Sequence, residues 1–512
     1  MGGWGVATCI IARLSNDRRK KDNMIWHIAK REILDNLTRF RFALTLILVM
    51  VLMVLNAVVF VSSQYPRRIA EYSEDTHKAA ESLKKKSRNL GELAVKGPGD
   101  LYKSVSPLTF IATGEDANLP KRVEGAYSGG YGIGMTTPDF NFNYSWSANW
   151  WLQYPQDISR KNDSLPNFTE LDWTFIIGLI MSFMAILFTY DAVSGERETG
   201  TLSLLMANSV PRATVLLAKF IGAFLSIMVP LIIGILLNLL IVNASDLVSL
   251  DGGEWGRVGI IVGISALYLS IFLWLGLFIS SQFSNSSSSL LTLLLIWIVF
   301  VVLIPNTMGV LASGFKQVPS KSEISRTKKA TAEEIDTRHK EGDKLYRTGS
   351  PSDQPPKIEV LRMWADYLNE HADAKNRIED EHLNKQFAQV AFTQQITRLS
   401  PAAIYKYAVE SLSGTGFARH KRFVQHARRY RQQFVNFIRS EDSGDKESYH
   451  VYLVKEGLSQ KPVAFSSIPK FSEKLTLGIT FKSALLDLTL LILLSLLLFM
   501  LAVLAFLRSD VK

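Results

Sequence analysis

The residues with the clearest potential for chemistry lie in a short polar stretch, Tyr190–Lys219, between two long apolar runs. The stretch reads YDAVSGERETGTLSLLMANSVPRATVLLAK, and it places the acids Glu196 and Glu198 on either side of Arg197. Such side chains form ion pairs and charge-assisted hydrogen bonds, either within the chain or with a partner protein. A solvated turn with a surface ion pair would contribute only about 0–1 kcal/mol. The elements around the stretch therefore decide between these interpretations.

Signatures of catalysis are missing from the rest of the sequence. It contains no complete phosphate loop, nucleotide-binding fingerprint, zinc signature or nucleophile elbow. The fragment Gly97–Ser104 (GPGDLYKS) resembles a phosphate loop, but Tyr102 stands where a glycine is required. The single cysteine, Cys9, excludes an internal disulfide framework and a multi-cysteine metal site. We therefore expect a chain that is not an enzyme by itself and that binds no cofactor or metal.

The dominant pattern is an alternation of long uncharged apolar runs with strongly polar blocks. Each run is long enough to cross a hydrocarbon core of roughly 30 Å, for which about 20 residues are needed. The six predicted spans are Phe42–Ser62, Trp173–Thr189, Phe220–Val242, Val258–Ser280, Leu290–Ala312 and Leu485–Leu507. Basic residues crowd the segment before the first span, which indicates a cytoplasmic start more strongly than nucleic-acid binding. An even number of spans then puts both termini in the cytoplasm.

The predicted fold class is an α-helical polytopic membrane protein. It has six transmembrane helices, an N-terminal amphipathic elbow helix and two large extracytoplasmic insertions, the first mixed or irregular and the second mainly helical. The predicted divisions are a basic N-terminal extension (1–23), the elbow helix (24–41), span 1 (42–62), extracytoplasmic domain 1 (63–171), spans 2–5 with a coupling loop at 190–219 (172–312), extracytoplasmic helical domain 2 (313–478), and span 6 with a cytoplasmic tail (479–512).

The segment before the first span has helical spacing of apolar and charged residues. Trp26 falls on its apolar side, while Arg31 and Glu32 fall largely on the polar side. Next to a span, this pattern indicates a helix that lies on the cytoplasmic membrane surface. The alternative, a helix packed on a soluble domain, is weaker because no soluble domain remains on that side.

Ionisable residues are nearly absent from the predicted spans, and only Asp487 lies in or close to one. Carriers coupled to protons or ions usually need buried acids or bases at mid-membrane, so a secondary transporter is disfavoured. Any path would suit a lipid-like or amphiphilic cargo. An energy source outside the chain would have to act through the polar stretch. There, Thr199 or Thr201 can cap a short helix and Pro211 can open the next one.

Several motifs resemble the permeases of type-2 ABC exporters. The E-R-E-x-G-T-L run (Glu196–Leu202), followed by Ser-Val-Pro-Arg and a lysine, is similar to their coupling region, and AKREILDN resembles their elbow helix. In the second large loop, the run Arg398-Leu-Ser-Pro401 and the later Ser411–Gly416 resemble a subgroup with large extracytoplasmic insertions. That subgroup includes the gliding-motility permeases and the permease of nitrous-oxide-reductase maturation.

The resemblance implies a bacterial inner-membrane permease that pairs with a second copy or a paired homologue. An ABC ATPase subunit, which would itself bind ATP and magnesium, would contact each copy and drive it. The implied contacts are the elbow residues Trp26, Arg31 and Glu32 and the coupling residues Glu196, Arg197, Glu198, Thr199, Gly200, Thr201, Leu202, Pro211 and Arg212. Nucleic acid is not an expected partner.

Three functional hypotheses remain open at this point. The first is an exporter subunit with a lipid-like cargo. The second is a mechanical transmitter of the same architecture, which acts on an extracytoplasmic protein and transports nothing. The first is the leading hypothesis, although the two outer insertions exceed half of the chain and this mass argues against a plain pore mechanism. The third is a receptor or scaffold without a motor.

Overall fold

The computed structural model describes residues 26–127, 150–153, 171–207, 211–315, 318–342, 358–452, 455–473 and 475–509. The basic N-terminal extension at 1–23 lies outside these residues.

Within these described residues, six helices are long and apolar enough to cross a membrane, which confirms the prediction of an α-helical polytopic membrane protein. They are Phe40–Lys86, Trp173–Glu198, Arg212–Asn243, Gly252–Gln282, Ser286–Met308 and Leu477–Arg508. The first continues well beyond the length of a span, because the charged segment after Gln64 keeps helical geometry out to Lys86.

The helical elements of the described residues follow one another in this order: α1 (26–38), α2 (Phe40–Val59), α3 (Tyr65–Lys86), α4 (Leu90–Lys96), α5 (Trp173–Phe175), α6 (Ser182–Thr189), α7 (Ser194–Glu198), α8 (Thr201–Ala207), α9 (Arg212–Asn243), α10 (Gly252–Gln282), α11 (Ser286–Trp297), α12 (Ile304–Phe315), α13 (Lys321–Gly342), α14 (Ile358–Thr397), α15 (Pro401–Ser413), α16 (Phe417–Ser443) and α17 (Leu477–Arg508). Three of the spans contain π-helical turns, at Phe60–Gln64, Ile176–Met181 and Ile298–Leu303.

The bundle has two distinct ends. We call the end that carries α1, α7 and α8 the inner end, and the end that carries the two insertions the outer end. Within the bundle, buried amides join α2 to α9, since Asn238 donates to the Asn56 side chain at 2.7 Å. Asn56 in turn donates to the carbonyl of Phe110 at 3.1 Å, and so ties the first insertion to the bundle. Polar contacts of this kind hold helices together where water is excluded.

The first insertion combines short helices with a small antiparallel sheet. The strands β1 (Leu101–Tyr102), β2 (Arg122–Tyr127) and β3 (Trp150–Gln153) pair in the order β1-β2-β3, with Leu101 opposite Val123 and Gly125 opposite Leu152. Side chains from this sheet, α4 and α16 share one apolar core, which contains Leu93, Phe423 and Phe434. The two insertions therefore form one layer at the outer end.

The second insertion contains an element that packs against the spans. Helix α15 lies against α10 and α17, and Tyr405 is fully buried with its ring stacked on Tyr268 at 4.4 Å between centroids. Just before α15, Arg398 donates to Asp487 of α17 at 2.5 Å. The region predicted as a helical outer layer thus also supplies part of the bundle's outer end. With 13 residues, α15 is too short to cross the membrane, so the sequence did not predict it as part of the bundle.

Candidate functional site

A buried lysine is the centre of the inner end. The Lys219 amine of α9 donates to Glu32 of α1 and to Glu196 of α7, each at 2.6 Å. The lysine side chain is 2% exposed, whereas each carboxylate is about a quarter exposed. A buried amine is tolerable when its charge is compensated in this way, and removal of one partner is costly. Lys219 therefore ties the predicted elbow helix, the polar stretch and a span to one another.

The crossing of α1 over α9 is close. Gly222 lies one turn after Lys219, and a Cβ atom there would come within 2.6 Å of the Glu32 Cβ. Ala29 is fully buried in the same contact, and Ile28 packs on the apolar core of the inner end. The small residues let α1 approach α9 closely enough for the Glu32–Lys219 ion pair to form.

Helix α7 closes the turn between α10 and α11. Arg197 donates to the carbonyls of Ser281 and Phe283, both at 3.3 Å, at the end of α10. Glu198 accepts from the backbone N–H of Ser286 at 3.2 Å and from its hydroxyl at 2.5 Å, at the start of α11. Both contacts have the sign that the helix dipole favours, a cation at a C-terminus and an anion at an N-terminus. Arg197 and Glu198 of the E-R-E run hold the fourth and fifth spans at their inner ends.

The turn between α7 and α8 is the exposed edge of the site. Gly200 has a φ of 70°, and a Cβ atom at this position would meet no described atom within 4 Å, so glycine serves the backbone conformation and not packing. The Thr199 and Thr201 hydroxyls donate to the carbonyls of Gly195 and Glu196, at 3.0 and 3.3 Å. Both hydroxyls close the C-terminal end of α7.

Leu202 and Leu204 of α8 face in opposite directions. Leu202 is buried in the apolar core of the inner end, with Val215 and Phe506. Leu204 is 71% exposed and stands beside the exposed Ser203. In this structure Leu202 supports the hairpin from inside, and Leu204, which sequence reasoning missed, forms an exposed apolar surface. Helical spacing from the buried Leu202 is the signal that could have found it.

Pro211 and Arg212 lie at the start of α9. Pro211 occupies the N-cap position, where its missing N–H costs nothing. Arg212 donates to the carbonyls of Leu507 and Ser509, at 2.9 and 3.0 Å, and so holds the last turn of α17. This pair joins the third span to the sixth at the inner end.

The remaining predicted elbow residues are more exposed. Trp26 is half exposed, and Arg31 lies 3.9 Å from Asp35 in a pair that faces solvent. We call the ion-pair cluster of Lys219, Glu32 and Glu196 the Lys219 node. Neither of these two elbow side chains belongs to it.

Asp191 was not singled out from the sequence, although it lies at the start of the polar stretch. It accepts from Arg39 at 3.2 Å and from Arg41 at 3.1 Å. Arg39 lies at the break between α1 and α2, and Arg41 lies in the first turn of α2. Asp191 therefore fixes that break to the end of the second span.

The chemistry of this site is ion pairing and helix capping. Within the described ranges, no group of three or more histidine, cysteine, aspartate or glutamate side chains is placed to hold a metal ion. The arrangement connects several helices mechanically, because contacts from the short α7–α8 hairpin reach α1, α9, α10 and α11. A force applied to the exposed edge would therefore reach several spans together.

Comparisons with known proteins match one family model to nearly the whole chain and two curated proteins to about a quarter of it. The family model described as "ABC-2 family transporter protein" matches residues 26–511. The chain is 34% identical over 138 residues to "Probable ABC transporter permease protein NosY" of Pseudomonas aeruginosa, a match that covers 26% of this chain and 49% of that protein. The protein of the same name from Stutzerimonas stutzeri is 32% identical over 127 residues, with 24% and 45% covered. The chain thus spans about half the length of the curated relatives it matches.

Proposed function

This chain belongs to the ABC-2 family of transporter proteins, and we propose that it is the membrane permease subunit of an ATP-driven ABC transporter. A separate ABC ATPase subunit, which binds ATP and magnesium, supplies the energy. The relatives named above are described as permeases, which supports this assignment. In this proposal the chain performs no catalysis and needs no cofactor of its own.

The observation that carries the proposal is the α7–α8 hairpin together with Lys219. The hairpin offers an exposed edge, 199–201 with Ser203 and Leu204, while its other side is held by ion pairs and an apolar core. A surface of this kind receives a partner without losing its own structure. Lys219 then passes the movement to α1 and α9.

The orientation in the membrane follows from the charges at the inner end. Arg39, Arg41, Arg197, Arg212 and Lys219 all lie there. Short loops that face the cytoplasm carry such an excess of lysine and arginine. We therefore assign the inner end and both termini to the cytoplasm of a bacterium, in its inner membrane, where an ATPase subunit has access to ATP.

A second copy of the chain, or a paired homologue, completes the unit in this proposal. In its most apolar part the span Ser286–Met308 is 22% buried, less than Leu477–Arg508 at 28% and Phe40–Lys86 at 33%. A helix that is apolar all round and so little covered within one chain lies against lipid or against another protein. Pairing along this span would let two ATPase subunits act on two permease copies together.

The second question is what the transporter does with the energy of ATP hydrolysis. It either exports a lipid-like cargo or acts on an extracytoplasmic protein. Helix α15 packs on the spans, and Arg398 before it pairs with Asp487 of α17; we call this connection the α15 joint. It favours action on an extracytoplasmic protein, because it passes movement of the bundle on to the outer layer. Reconstituted vesicles discriminate the two. ATP hydrolysis without movement of a fluorescent lipid supports the transmitter, and hydrolysis that moves the lipid supports the exporter.

The test of the coupling proposal uses the substitution Leu204→Glu in the full chain. Because Leu204 is exposed, the charge leaves the fold intact and breaks the apolar contact with the ATPase subunit. We expect at least a tenfold loss of co-purified ATPase and of its stimulation in nanodiscs. Leu247→Glu is the matched control, since Leu247 is half exposed at the other end of the bundle.

Equal retention of the ATPase by the two variants contradicts the coupling proposal. It favours the third hypothesis, a receptor or scaffold without a motor.

A further inference from the structure

The two insertions and the bundle meet at one small junction, where α15 ends. The carbonyl of Glu410 accepts from the N–H groups of Thr415 and Gly416, at 3.0 and 3.2 Å. The carbonyl of Thr415 accepts from the N–H of Asp116, at 3.1 Å, in the 3₁₀ turn Gly114–Ala117 of the first insertion. A Cβ at Gly114 would lie 2.8 Å from the Thr415 carbonyl oxygen. The 3₁₀ turn is therefore clamped directly onto the turn between α15 and α16.

The Glu410 side chain is buried in this junction without a full set of partners. It is 2% exposed, and its Oε1 atom has no hydrogen-bond partner among the described residues. The nearest cation is Lys406, one turn earlier, whose amine is 3.6 Å from Oε1, too far for a hydrogen bond. The lysine side chain is half exposed and reaches solvent. An ionised carboxylate in this position would be poorly compensated.

The other charged groups that face Glu410 are mostly acidic. Glu115 belongs to the 3₁₀ turn, and Asp172 precedes the second span. Two backbone hydrogen bonds stabilise the Asp172 carboxylate, which accepts from the N–H groups of Thr113 and Phe175 at 3.0 and 2.8 Å. Three carboxyl groups thus share one amine.

Three more cations lie near the junction. Arg257 is engaged with Glu254 at 3.2 Å, Arg419 donates to the Gly414 carbonyl at 2.7 Å, and Lys103 pairs with Asp116. The charge that acts on the Glu410 carboxyl is that of Lys406. Lys406 therefore remains the cation that balances the acids.

We propose that this junction is a proton-binding site, at which the Glu410 carboxyl takes up a proton from water on the outer side and releases it there. Uptake converts the carboxylate and a hydronium proton into a neutral carboxyl group and water, and no other reactant is needed. With Glu410 neutral, one amine faces only the two remaining carboxylates and the clamp stays closed. With Glu410 ionised, repulsion among the three acids loosens the 3₁₀ turn from the α15–α16 turn.

The direction of the proton affinity agrees with this geometry. Burial, together with the nearby charges of Glu115 and Asp172, raises the pKa of Glu410 to about 8, against the opposite effect of Lys406. Burial also raises the pKa of Glu115. A raised folded-state pKa means that the neutral form is favoured at pH 7, and that this form is lost as pH rises through about 8.

The test is infrared spectroscopy of the full chain in nanodiscs, with no ATPase subunit present. We expect a protonated-carboxyl band at pH 7 that disappears as pH rises through about 8. The part of the band that disappears near pH 8 is absent in Glu410→Gln. It is retained in Glu441→Gln, which changes the exposed glutamate at the end of α16. Since no ATPase is involved, the result is independent of the coupling proposal.

Two further variants keep the test decisive if Glu410→Gln folds poorly. Glu115→Gln removes a neighbouring negative charge and lowers the pH at which the band disappears. Lys406→Met removes the positive charge and raises that pH. Three results overturn the proposal: the part of the band that disappears near pH 8 persists in Glu410→Gln, its midpoint does not move in these variants, or sodium or calcium displaces it at constant pH.

Discussion

Lys219 differs from the other charged residues of the inner end because its amine is buried between two carboxylates. The acids come from elements 187 and 23 residues away along the chain, so one side chain joins parts that the sequence keeps apart. The sequence showed a lysine where an apolar run begins, but neither of its partners. Periodicity reports which face of a helix is apolar, and it contains no information about which distant acid meets a given base.

Substitution of Lys219 by Met tests the node at this scale. The change leaves Glu32 and Glu196 facing each other without a cation, so we expect a loss of about 2 kcal/mol in unfolding free energy. This is less than the roughly 3–5 kcal/mol of fully buried pairs, since both acids keep some contact with water. Denaturant unfolding in mixed micelles measures the change.

Arg31→Ala is the control for the node. Its pair with Asp35 is exposed, and such pairs contribute about 0.3–0.5 kcal/mol on a helix surface. A Lys219→Met variant as stable as this control would show that the node does not hold the three elements together.

Helix α15 shows how an element outside the spans becomes part of the bundle. Its thirteen residues bury Tyr405 against α10, and Arg398 before it pairs with Asp487 of α17. Asp487 was already conspicuous in the sequence as an acid in or near a span. A buried acid in an apolar setting calls for a partner, but the place of that partner beside a separate, short helix follows only from the tertiary structure.

A double-mutant cycle tests the attachment of α15 to α17. Arg398→Leu alone leaves Asp487 buried and unpaired, and we expect a loss of about 3 kcal/mol in unfolding free energy. Arg398→Leu combined with Asp487→Leu removes both charges and regains most of that loss. Coupling below about 0.5 kcal/mol between the two substitutions would show that the ion pair does not dock the two elements.

At the scale of the whole molecule, the sequence was most informative about the spans. Apolar runs of about 20 residues, such as Phe220–Val242, have no other stable solution than a helix across the membrane, so the six-span architecture was accessible. The identity of the exposed surface was less accessible. Leu202 and Leu204 are equally apolar in the sequence, and only the packing of α8 on Val215 and Phe506 shows which of them faces outward.

The same packing connects the inner end of the molecule to its outer layer. The exposed hairpin lies at the inner end, the Lys219 node behind it reaches α1 and α9, and the α15 joint ties the spans to the outer layer. In the proposed function, force from an ATPase subunit enters through the α7–α8 hairpin.

A site-specific photocrosslink tests this point of entry most directly. A photoreactive amino acid replaces Leu204 in one variant and Leu247 in another, and each full chain is irradiated together with the ATPase subunit that co-purifies with the unsubstituted chain. We predict a covalent adduct with the ATPase subunit from position 204 and none from position 247. No adduct from position 204, or equal adducts from both positions, would contradict the account.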